Sequence, residues 1–338
     1  LFTVFMGWGY SFVVIFSIRL LVGMAEAPAF PSNSRIASMW FPTHERGTAT
    51  AVYTSGEFVG LAFLTPVLAY ILHTYGWREI FFFTGAIGIV VSFLFHHFYR
   101  DPKDSKHLND LERSYIRDGG GLVDMEPKGG PMDFSHLKEL FKHRQLIGIY
   151  IGQFANTSTM FFFLTWFPTY LMVAKDMPIL KAGFYAAIPY LGALVGVLVG
   201  GYWSDSMIKH GASLSIARKT PIVTGLIMTM TIMGANFAST PEAVIAFMTL
   251  AFFGQGMAAT IWTTVGDIAP IRAVGLAGGV FNFMGNLAGI ITPIVIGAIV
   301  SATGDFTGAL LFVGVIAFIG VLSLLFLVGD MHRIEPKN

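Results

Sequence analysis

The stretch Pro42-Thr43-His44-Glu45-Arg46-Gly47 returns in outline later in the chain as Pro270-Ile271-Arg272-Ala273-Val274-Gly275. In both copies the first proline is followed after 34 residues by a further glycine, Gly76 or Gly304. Each copy runs from a loop with Pro and Arg into a Gly/Ala-rich apolar span with an interior proline, then through a short turn into a second apolar span. A repeat of this order and length predicts two structurally related halves in one chain.

The composition identifies lipid as the solvent of most of the chain. Of the 338 residues, 54% are hydrophobic and 12% are charged, and the mean hydropathy is +0.66. An average soluble domain has about twice that share of charge, so these values exclude a soluble enzyme and a disordered chain. A net charge of +1 gives no basic field for nucleic acid. The chain has no Cys, which excludes a disulfide scaffold and cysteine metal sites.

Apolar stretches of about 20 residues, bounded by charge or by Pro/Gly turns, predict membrane segments. Ten such segments are found, at 1–9, 11–40, 47–72, 78–99, 145–174, 180–203, 217–238, 242–265, 274–302 and 306–329. The sequence therefore predicts an all-α membrane protein.

The domain boundaries follow from these segments. We predict a first transmembrane bundle at 1–99, a polar central loop with an amphipathic helix at 100–144, a six-helix bundle at 145–329 and a tail at 330–338. The repeat offset of 228 residues would start the first bundle before position 1. We therefore expect a fragment of a twelve-helix protein that lacks two helices and part of a third.

The basic residues predict the topology. Sixteen Lys and Arg lie in alternate loops and the tail, at 41–46, 100–144, 206–219, 266–273 and 331–338, and the other loops hold three. By the positive-inside rule the first set is cytoplasmic, so the C-terminus lies on the cytoplasmic side of the membrane. Two basic residues remain, Arg19 and Arg35, both within the second segment.

Arg19 and Glu26 are charged residues within an apolar segment that is predicted to cross the membrane. They are seven residues apart, which puts them on one helix face about 10 Å apart along the axis. Each costs roughly 2.5–3.5 kcal/mol at the centre of a bilayer, so each must face a cavity or a partner. Arginine presents a planar fork to a carboxylate, and a buried glutamate exchanges protons with its surroundings. The pair suits uptake of an organic anion with a proton, and a structural ion pair with another helix is the alternative.

Other polar and aromatic side chains at membrane depth are further candidates. Glu57 is a candidate for substrate binding and for proton coupling, and a structural partner for Arg19 or for another helix is the alternative. Four amides either hold helices together or hydrogen-bond substrate hydroxyls: Gln153, Asn156, Asn282 and Asn286. The rings of Tyr53 and Trp262 either pack in the core or line a sugar pocket. We expect no metal site and no cofactor.

Several motifs resemble one known family. Arg19-Leu-Leu-Val-Gly-Met-Ala-Glu26-Ala-Pro28, Trp40-Phe-Pro42-Thr-His-Glu-Arg46-Gly47 and Leu164-Thr-Trp-Phe-Pro168-Thr-Tyr170 are similar to the anion:cation symporter family of the major facilitator superfamily. The likeness is to its bacterial sugar-acid permeases for galactonate, glucarate and hexuronates. Ser114-Tyr-Ile-Arg-Asp-Gly-Gly-Gly-Leu-Val-Asp124 and Ala217-Arg-Lys-Thr-Pro221 bring it nearest to the D-galactonate permeases.

The resemblance implies roles for individual residues. Arg19 would bind the substrate carboxylate and Glu26 would carry the proton. Side chains that contact the sugar would be Gln153, Asn282 and Trp262. Asp205, Arg218 and Lys219 would belong to a degenerate copy of the cytoplasmic gating loop. The implied function is import of a sugar acid anion by proton symport through alternating access, by a monomer.

This sequence departs from the resemblance at two positions, so alternatives stay open. The galactonate permeases have Gln where this chain has Glu57 and Ser where it has Ala259. An ionised Glu57 would repel an anion, so it must be protonated or neutralised when substrate is bound. The alternatives are a permease for an aromatic or dicarboxylic acid and a membrane scaffold that transports nothing. No metal or nucleophile–base constellation favours an enzyme.

Overall fold

The computed structural model describes residues 1–106, 108–124 and 134–334. Within these ranges the regular structure is helical and no strand occurs. The first half contains α1 (Phe2–Met6), α2 (Phe12–Glu26), α3 (Ala29–Trp40), α4 (Arg46–Val59), α5 (Thr65–Tyr75) and α6 (Trp77–Phe98). The loop between the halves contains α7 (Asp110–Asp118) and α8 (Phe134–Leu140). The second half contains α9 (Arg144–Thr165), α10 (Phe167–Val173), α11 (Ile179–Lys209), α12 (Leu214–Thr229), α13 (Pro241–Ala258), α14 (Trp262–Ile268), α15 (Val274–Thr303) and α16 (Thr307–Leu322).

Seven stretches of the described chain are long and apolar enough to cross a membrane. They are Phe12–Trp40, Trp77–Phe98, Tyr185–Lys209, Leu214–Phe237, Pro241–Ile268, Val274–Thr303 and Thr307–Leu327. Each overlaps one of the ten segments expected from the sequence. The other three segments are also helical, as α1, as α4 with α5, and as α9 with α10.

Prolines explain where several of these segments are broken. Pro28 precedes α3 at the break from α2, and Pro168 stands in the first turn of α10. Pro66 is the second residue of α5, which directly follows a π-helical turn at Gly60–Leu64. Proline has no backbone N–H and its ring clashes with the preceding turn, so a helix kinks or restarts at each of these points.

The internal repeat is visible in the backbone. Gly76 ends α5 with φ +92°, and Gly304 ends α15 with φ +76°. Both values lie in the region that glycine adopts without steric penalty. Arg46 and Val274, each directly before the repeat glycine, begin α4 and α15. The two copies therefore start and stop their helices at equivalent positions.

Small residues allow the close approach of α11 and α13. Gly192, Gly196 and Gly200 recur every fourth residue, a spacing that predicts a helix face for close packing. The prediction is confirmed, because a Cβ on Gly196 would overlap the carbonyl oxygen of Phe253, and Gly192 and Gly200 also face α13 closely. The same spacing predicts close packing at Gly56 with Gly60 and at Gly275 with Gly279, and there the prediction is wrong, because a Cβ would meet nothing within 4 Å in the described structure.

The two halves meet through a limited set of helices. From the first half, α4 packs along α11, while α3 packs against α14 and α15. By contrast, α6 has a single buried residue, Gly85, and exposes large apolar side chains along its length. Such an exposed apolar surface fits contact with lipid. The chain is thus a multi-pass helical bundle with a seam between its halves.

The end of the bundle formed by residues 41–46, 204–219, 266–273 and 329–334 is called the basic end below. Its surface is partly covered by the loop between the halves. Leu140 of α8 is buried in the same apolar cluster as Leu146 and Met331, whereas Phe141 remains exposed. The apolar face of the amphipathic helix predicted in the central loop therefore packs in part against protein.

Candidate functional site

A cavity of about 680 Å³ lies at the seam between the two halves. The first half lines it with the break between α2 and α3 and with α4, and the second half lines it with α9, α13 and α15. Its volume falls within the range of small-molecule binding sites. The seam brings together side chains that are more than 250 residues apart in sequence.

Two carboxylates stand on the first-half wall of the cavity. Glu26 ends α2, and Glu57 lies near the end of α4. Both side chains are exposed, and in the described residues neither lies within ion-pair distance of a cation. This wall therefore presents two carboxylates that no neighbouring cation neutralises among the described residues.

A proline in α3 leaves a backbone oxygen free to accept a hydrogen bond from the other half. Pro31 has no N–H to donate to the carbonyl of Ala27, four residues earlier, so this oxygen is left without its helical donor. Asn282 supplies the donor from α15, with its Nδ2 2.9 Å from Ala27 O. Asn286 Nδ2 in turn donates to Asn282 O at 2.9 Å. Both asparagines line the cavity.

Three further amides line the cavity from the second half. Gln153 and Asn156 on α9 and Gln255 on α13 are 5%, 4% and 3% exposed. The side-chain oxygen of each is buried without a hydrogen-bond donor in the described structure. An unpaired buried oxygen costs about 1–3 kcal/mol, so a ligand that pairs with it recovers that energy.

Aromatic rings close one side of the cavity. Trp262 stacks on Phe30 with ring centroids 5.2 Å apart and meets Phe281 edge-on at 4.6 Å. The ring of Tyr53 contacts the ring of Phe30, with centroids 6.3 Å apart, and Tyr53 does not itself line the cavity. Trp262 and Phe30 therefore join the two halves through a ring contact at the cavity surface.

Arg19 lies away from the cavity, although it shares α2 with Glu26. Its guanidinium group is 5.7 Å from the ring centroid of Phe81 on α6 and its side chain is exposed. Of the six side chains proposed from sequence to bind substrate, four line the cavity: Glu57, Gln153, Trp262 and Asn282. Arg19 and Tyr53 stand outside the lining.

Four charged side chains form a buried ion-pair network at the basic end: Arg46, Asp205, Arg218 and Asp267. Arg218 Nε donates to Asp267 Oδ2 at 2.8 Å, and its Nη1 donates to Asp205 Oδ1 at 2.9 Å. Arg46 from the first half pairs with the other oxygen of Asp267. We call these four residues the basic-end network.

The network also uses backbone groups of the opposite half. Asp205 accepts a hydrogen bond from the N–H of Gly47, 3.0 Å away, at the start of α4. A carboxylate at a helix N-terminus satisfies free N–H groups and faces the positive end of the helix dipole. Arg218 Nη2 donates to Thr43 O at 2.6 Å. The contacts therefore clamp the two halves together at the basic end.

Lys219 lies apart from this network. Its ammonium group donates to the carbonyl of Gly329, at the start of the C-terminal segment. The segment continues with Arg333, which donates to Gly266 O at 2.6 Å and to Ala269 O at 3.0 Å. Gly266 O lacks its helical donor because Pro270 follows four residues later. Burial lowers the pKa of Arg333.

A glycine-rich turn from the central loop covers the network. Thr43 N donates to Gly119 O at 2.7 Å, and Arg46 Nη2 donates to Gly120 O at 3.1 Å. Gly120 has φ +83°, and a Cβ on it would lie 2.7 Å from Thr43 Oγ1. Beside it, Tyr115 donates to Glu45 Oε1 at 2.6 Å, which raises the pKa of the tyrosine. The turn therefore holds the loop that carries Arg46.

Sequence reasoning missed two members of the network and one of the cavity. Arg46 is assigned by the sequence only to a cytoplasmic loop, and Asp267 is not singled out, although Arg46 precedes the repeat glycine and Asp267 lies two residues after an apolar segment. Gln255 lies in Gly254-Gln255-Gly256, a pattern that imitates a dinucleotide-binding turn but stands in an apolar span with no strand before it. Its polar side chain inside a long apolar span was the signal that could have identified it.

Comparison with known proteins assigns the chain to a family. Residues 1–217 match the model of the Major Facilitator Superfamily. The chain is similar to a D-galactonate transporter of Escherichia coli, at 46% identity over 98% of this chain and 78% of that protein. It is also similar to a probable galactarate/D-glucarate transporter, GudP, of Escherichia coli, at 44% identity over 99% of this chain and 75% of that protein.

Solved structures support the same fold. The proton:xylose symporter XylE has a TM-score of 0.65 at 15% identity, covering 89% of this chain and 68% of that one. The Escherichia coli fucose:proton symporter FucP has a TM-score of 0.59 at 13% identity, covering 93% of this chain and 76% of that one. The curated relatives are named transporters, in agreement with the expectation of a transporter and not an enzyme. This chain belongs to the Major Facilitator Superfamily.

Proposed function

We propose that the protein imports a sugar acid anion together with a proton across a bacterial inner membrane, acting as a monomer. The observation that carries the proposal is the cavity at the seam, with two carboxylates on one wall and amide side chains on the other. The names of the relatives, transporters of galactonate and of galactarate or glucarate, support a sugar acid as the substrate.

The position at which the halves are joined supports transport by alternating access. The basic-end network closes the seam at one end, and the cavity lies beyond it toward the centre of the bundle. The positive-inside rule supports a cytoplasmic position for the basic end and the C-terminus. Breaking the ion pairs of the network would let the halves rock apart there and release substrate to the cytoplasm.

Glu26 and Glu57 suit proton coupling because they face the place where an anion would bind. An ionised carboxylate repels an anionic substrate, whereas a protonated one does not. Binding of the anion therefore favours proton uptake, and the two leave together. Arg19 lies about two turns before Glu26 on α2, outside the lining of the cavity. Its proposed role is to provide positive charge for the substrate carboxylate on the first-half side.

The test is uptake of labelled D-galactonate into proteoliposomes containing the full-length protein. With an interior one pH unit more alkaline, coupling to one proton predicts accumulation of up to about tenfold. Glu26→Gln should lose this accumulation and keep exchange of labelled for unlabelled galactonate. Glu79→Gln is the matched control, because Glu79 is an exposed acid on α6 that lies outside the cavity. Proton-driven accumulation by Glu26→Gln at the level of the wild type would refute the assignment.

A further inference from the structure

A second cavity, of about 390 Å³, lies at the turn between α8 and α9, beside the C-terminal segment. We call it the basic pocket, and its lining residues are Lys142, His143, Arg144, Gln145, His332 and Ile334. No Asp or Glu is among the described lining residues. In the described chain neither Lys142 nor Arg144 has an ion-pair partner. The pocket therefore concentrates positive charge that no described acid neutralises by direct contact.

The N-terminus of α9 lies at the same pocket. The helix begins at Arg144, its N-cap residue His143 makes no side-chain capping hydrogen bond, and its first turn contains no acidic residue. The first N–H groups of a helix have no internal acceptor and stand at the positive end of the helix dipole. The charge of Arg144 adds to that of the dipole, so both would stabilise a bound anion.

Gln145 is an independent indication of a ligand. Its side chain is 8% exposed, and its Nε2 donates to Asp330 O at 2.8 Å. This contact orients the amide nitrogen toward the C-terminal segment. The amide oxygen, Oε1, is buried without a hydrogen-bond donor in the described structure. Such an oxygen is stabilised by a ligand group that donates a hydrogen bond, such as a hydroxyl.

The surroundings of the pocket favour a membrane lipid as the source of the anion. Phe141, directly before the pocket residues, is 48% exposed, and α9, directly after them, is a predicted membrane segment. Exposed aromatic rings and clusters of Lys and Arg beside a membrane segment lie at the level of the lipid head groups. The anion is therefore expected to be the phosphate of a lipid and not a solute.

We propose that the basic pocket binds the head group of an anionic phospholipid with a free hydroxyl, as in phosphatidylglycerol. The phosphodiester is held by Lys142, Arg144 and the N-terminus of α9, and a glycerol hydroxyl donates to Gln145 Oε1. Phosphatidylethanolamine is disfavoured because its ammonium group would face the same cations. The site lies outside the cavity at the seam, so the proposal does not depend on the proposed function.

Lipid binding by charge variants tests the proposal. Binding of radiolabelled dioctanoyl phosphatidylglycerol is measured on the full-length protein in an uncharged detergent. The double variant Lys142→Gln with Arg144→Gln should bind at least about tenfold more weakly than the wild type. The matched control is Lys103→Gln with Lys138→Gln, which removes the same charge from exposed central-loop residues outside the pocket and should bind as the wild type does. Equal weakening in the two double variants overturns the proposal.

A series of competitors on the wild type gives a second test that needs no variant. Phosphatidylethanolamine should compete at least about tenfold more weakly than phosphatidylglycerol. Phosphatidylmethanol keeps the anionic phosphodiester but has no free hydroxyl, and it should compete at least about threefold more weakly. Equal competition by phosphatidylethanolamine overturns the proposal, and equal competition by phosphatidylmethanol contradicts the role of Gln145.

A soluble competitor distinguishes a lipid from a free phosphate. Glycerol 1-phosphate carries the phosphate and the hydroxyls of the head group without acyl chains. We expect it to displace labelled phosphatidylglycerol at least about tenfold more weakly than the unlabelled lipid does, because it has no apolar part to lie beside Phe141. Displacement at equal concentration would show that the pocket binds a soluble phosphate, which overturns the assignment to a lipid.

Discussion

The cavity and the basic-end network are both built from polar side chains at the seam. These side chains are paired in the network and largely unpaired in the cavity. In the network, Asp205 and Asp267 each bind at least one arginine and the four charges cancel. In the cavity, Glu26 and Glu57 have no cationic partner in the described chain and three amide oxygens have no donor.

This difference distinguishes a region that holds the two halves together from a region that binds a ligand. Polar groups that hold helices together are stabilising only when they are paired, because an unpaired charge in a buried position is strongly unfavourable. Polar groups that pair only with a ligand are unpaired in the empty protein and lower its stability. Substitutions in the two regions should therefore have stability effects of different sign.

The largest effect is expected from Asp267→Asn in the network. The substitution leaves Arg46 and Arg218 buried, at 1% exposure each, without their shared carboxylate. Removing one partner of a buried pair costs about 3–5 kcal/mol, which lowers the melting temperature by roughly 5–10 °C. The measurement is thermal unfolding in detergent micelles. A melting temperature equal to that of the wild type would show that the network does not join the halves.

A smaller effect is expected from Gly120→Ala in the turn that covers the network. Alanine at φ +83° is strained, and its Cβ would press on Thr43, so the loop that carries Arg46 would shift. We expect a loss of about 2 kcal/mol. Gly211→Ala is the matched control, because Gly211 has φ +87° with nothing within 4 Å in the described structure.

The control, Gly211→Ala, is expected to lose only about 1 kcal/mol of unfolding free energy, the cost of placing alanine at a positive φ. The difference in unfolding free energy between the two variants therefore reports the contact with Thr43. If Gly211→Ala loses as much stability as Gly120→Ala, the turn makes no specific contribution to the network.

The smallest effect is expected from Asp124→Asn. Asp124 pairs with Arg117 and Arg113 on the exposed side of α7, and its hydrogen bond with Arg117 holds its pKa below the usual value. A lowered carboxyl pKa stabilises the fold above the unfolded pKa, and this contribution is lost as pH falls through the folded pKa. Solvent screening limits it to about 0.5 kcal/mol. Comparison of the melting temperatures of the variant and the wild type at pH 7 and at pH 3 checks both size and sign.

The fold was predictable because lipid imposes a simple rule on the sequence. Apolar segments of membrane length, the Pro/Gly repeat and the paired glycines Gly76 and Gly304 follow from local chemistry alone. Helix packing was harder to predict, since Gly196 and Gly56 stand in similar sequence patterns and only Gly196 faces a neighbouring backbone.

The candidate site was predictable where a polar residue interrupts an apolar run, as at Glu26, Gln153 and Asn282. Pairings across the seam were not, because nothing in the sequence brings Arg46 within reach of Asp267, 221 positions later. Gln255 was obscured by a neighbouring glycine pattern that means something else in a soluble protein. Partner choice depends on tertiary packing, which single-sequence patterns do not record.

The most direct test of the account is the shift in melting temperature caused by D-galactonate in the wild type and in Gln255→Met. For the wild type at about 100 times Kd, binding adds about 2.7 kcal/mol, a shift on the order of 5 °C. Gln255→Met removes an unpaired buried amide, so the empty variant should melt at the same temperature or higher, and it should lose most of the shift. A variant that is destabilised when empty and keeps the full shift would contradict the claim that the cavity amides are held unpaired for the ligand.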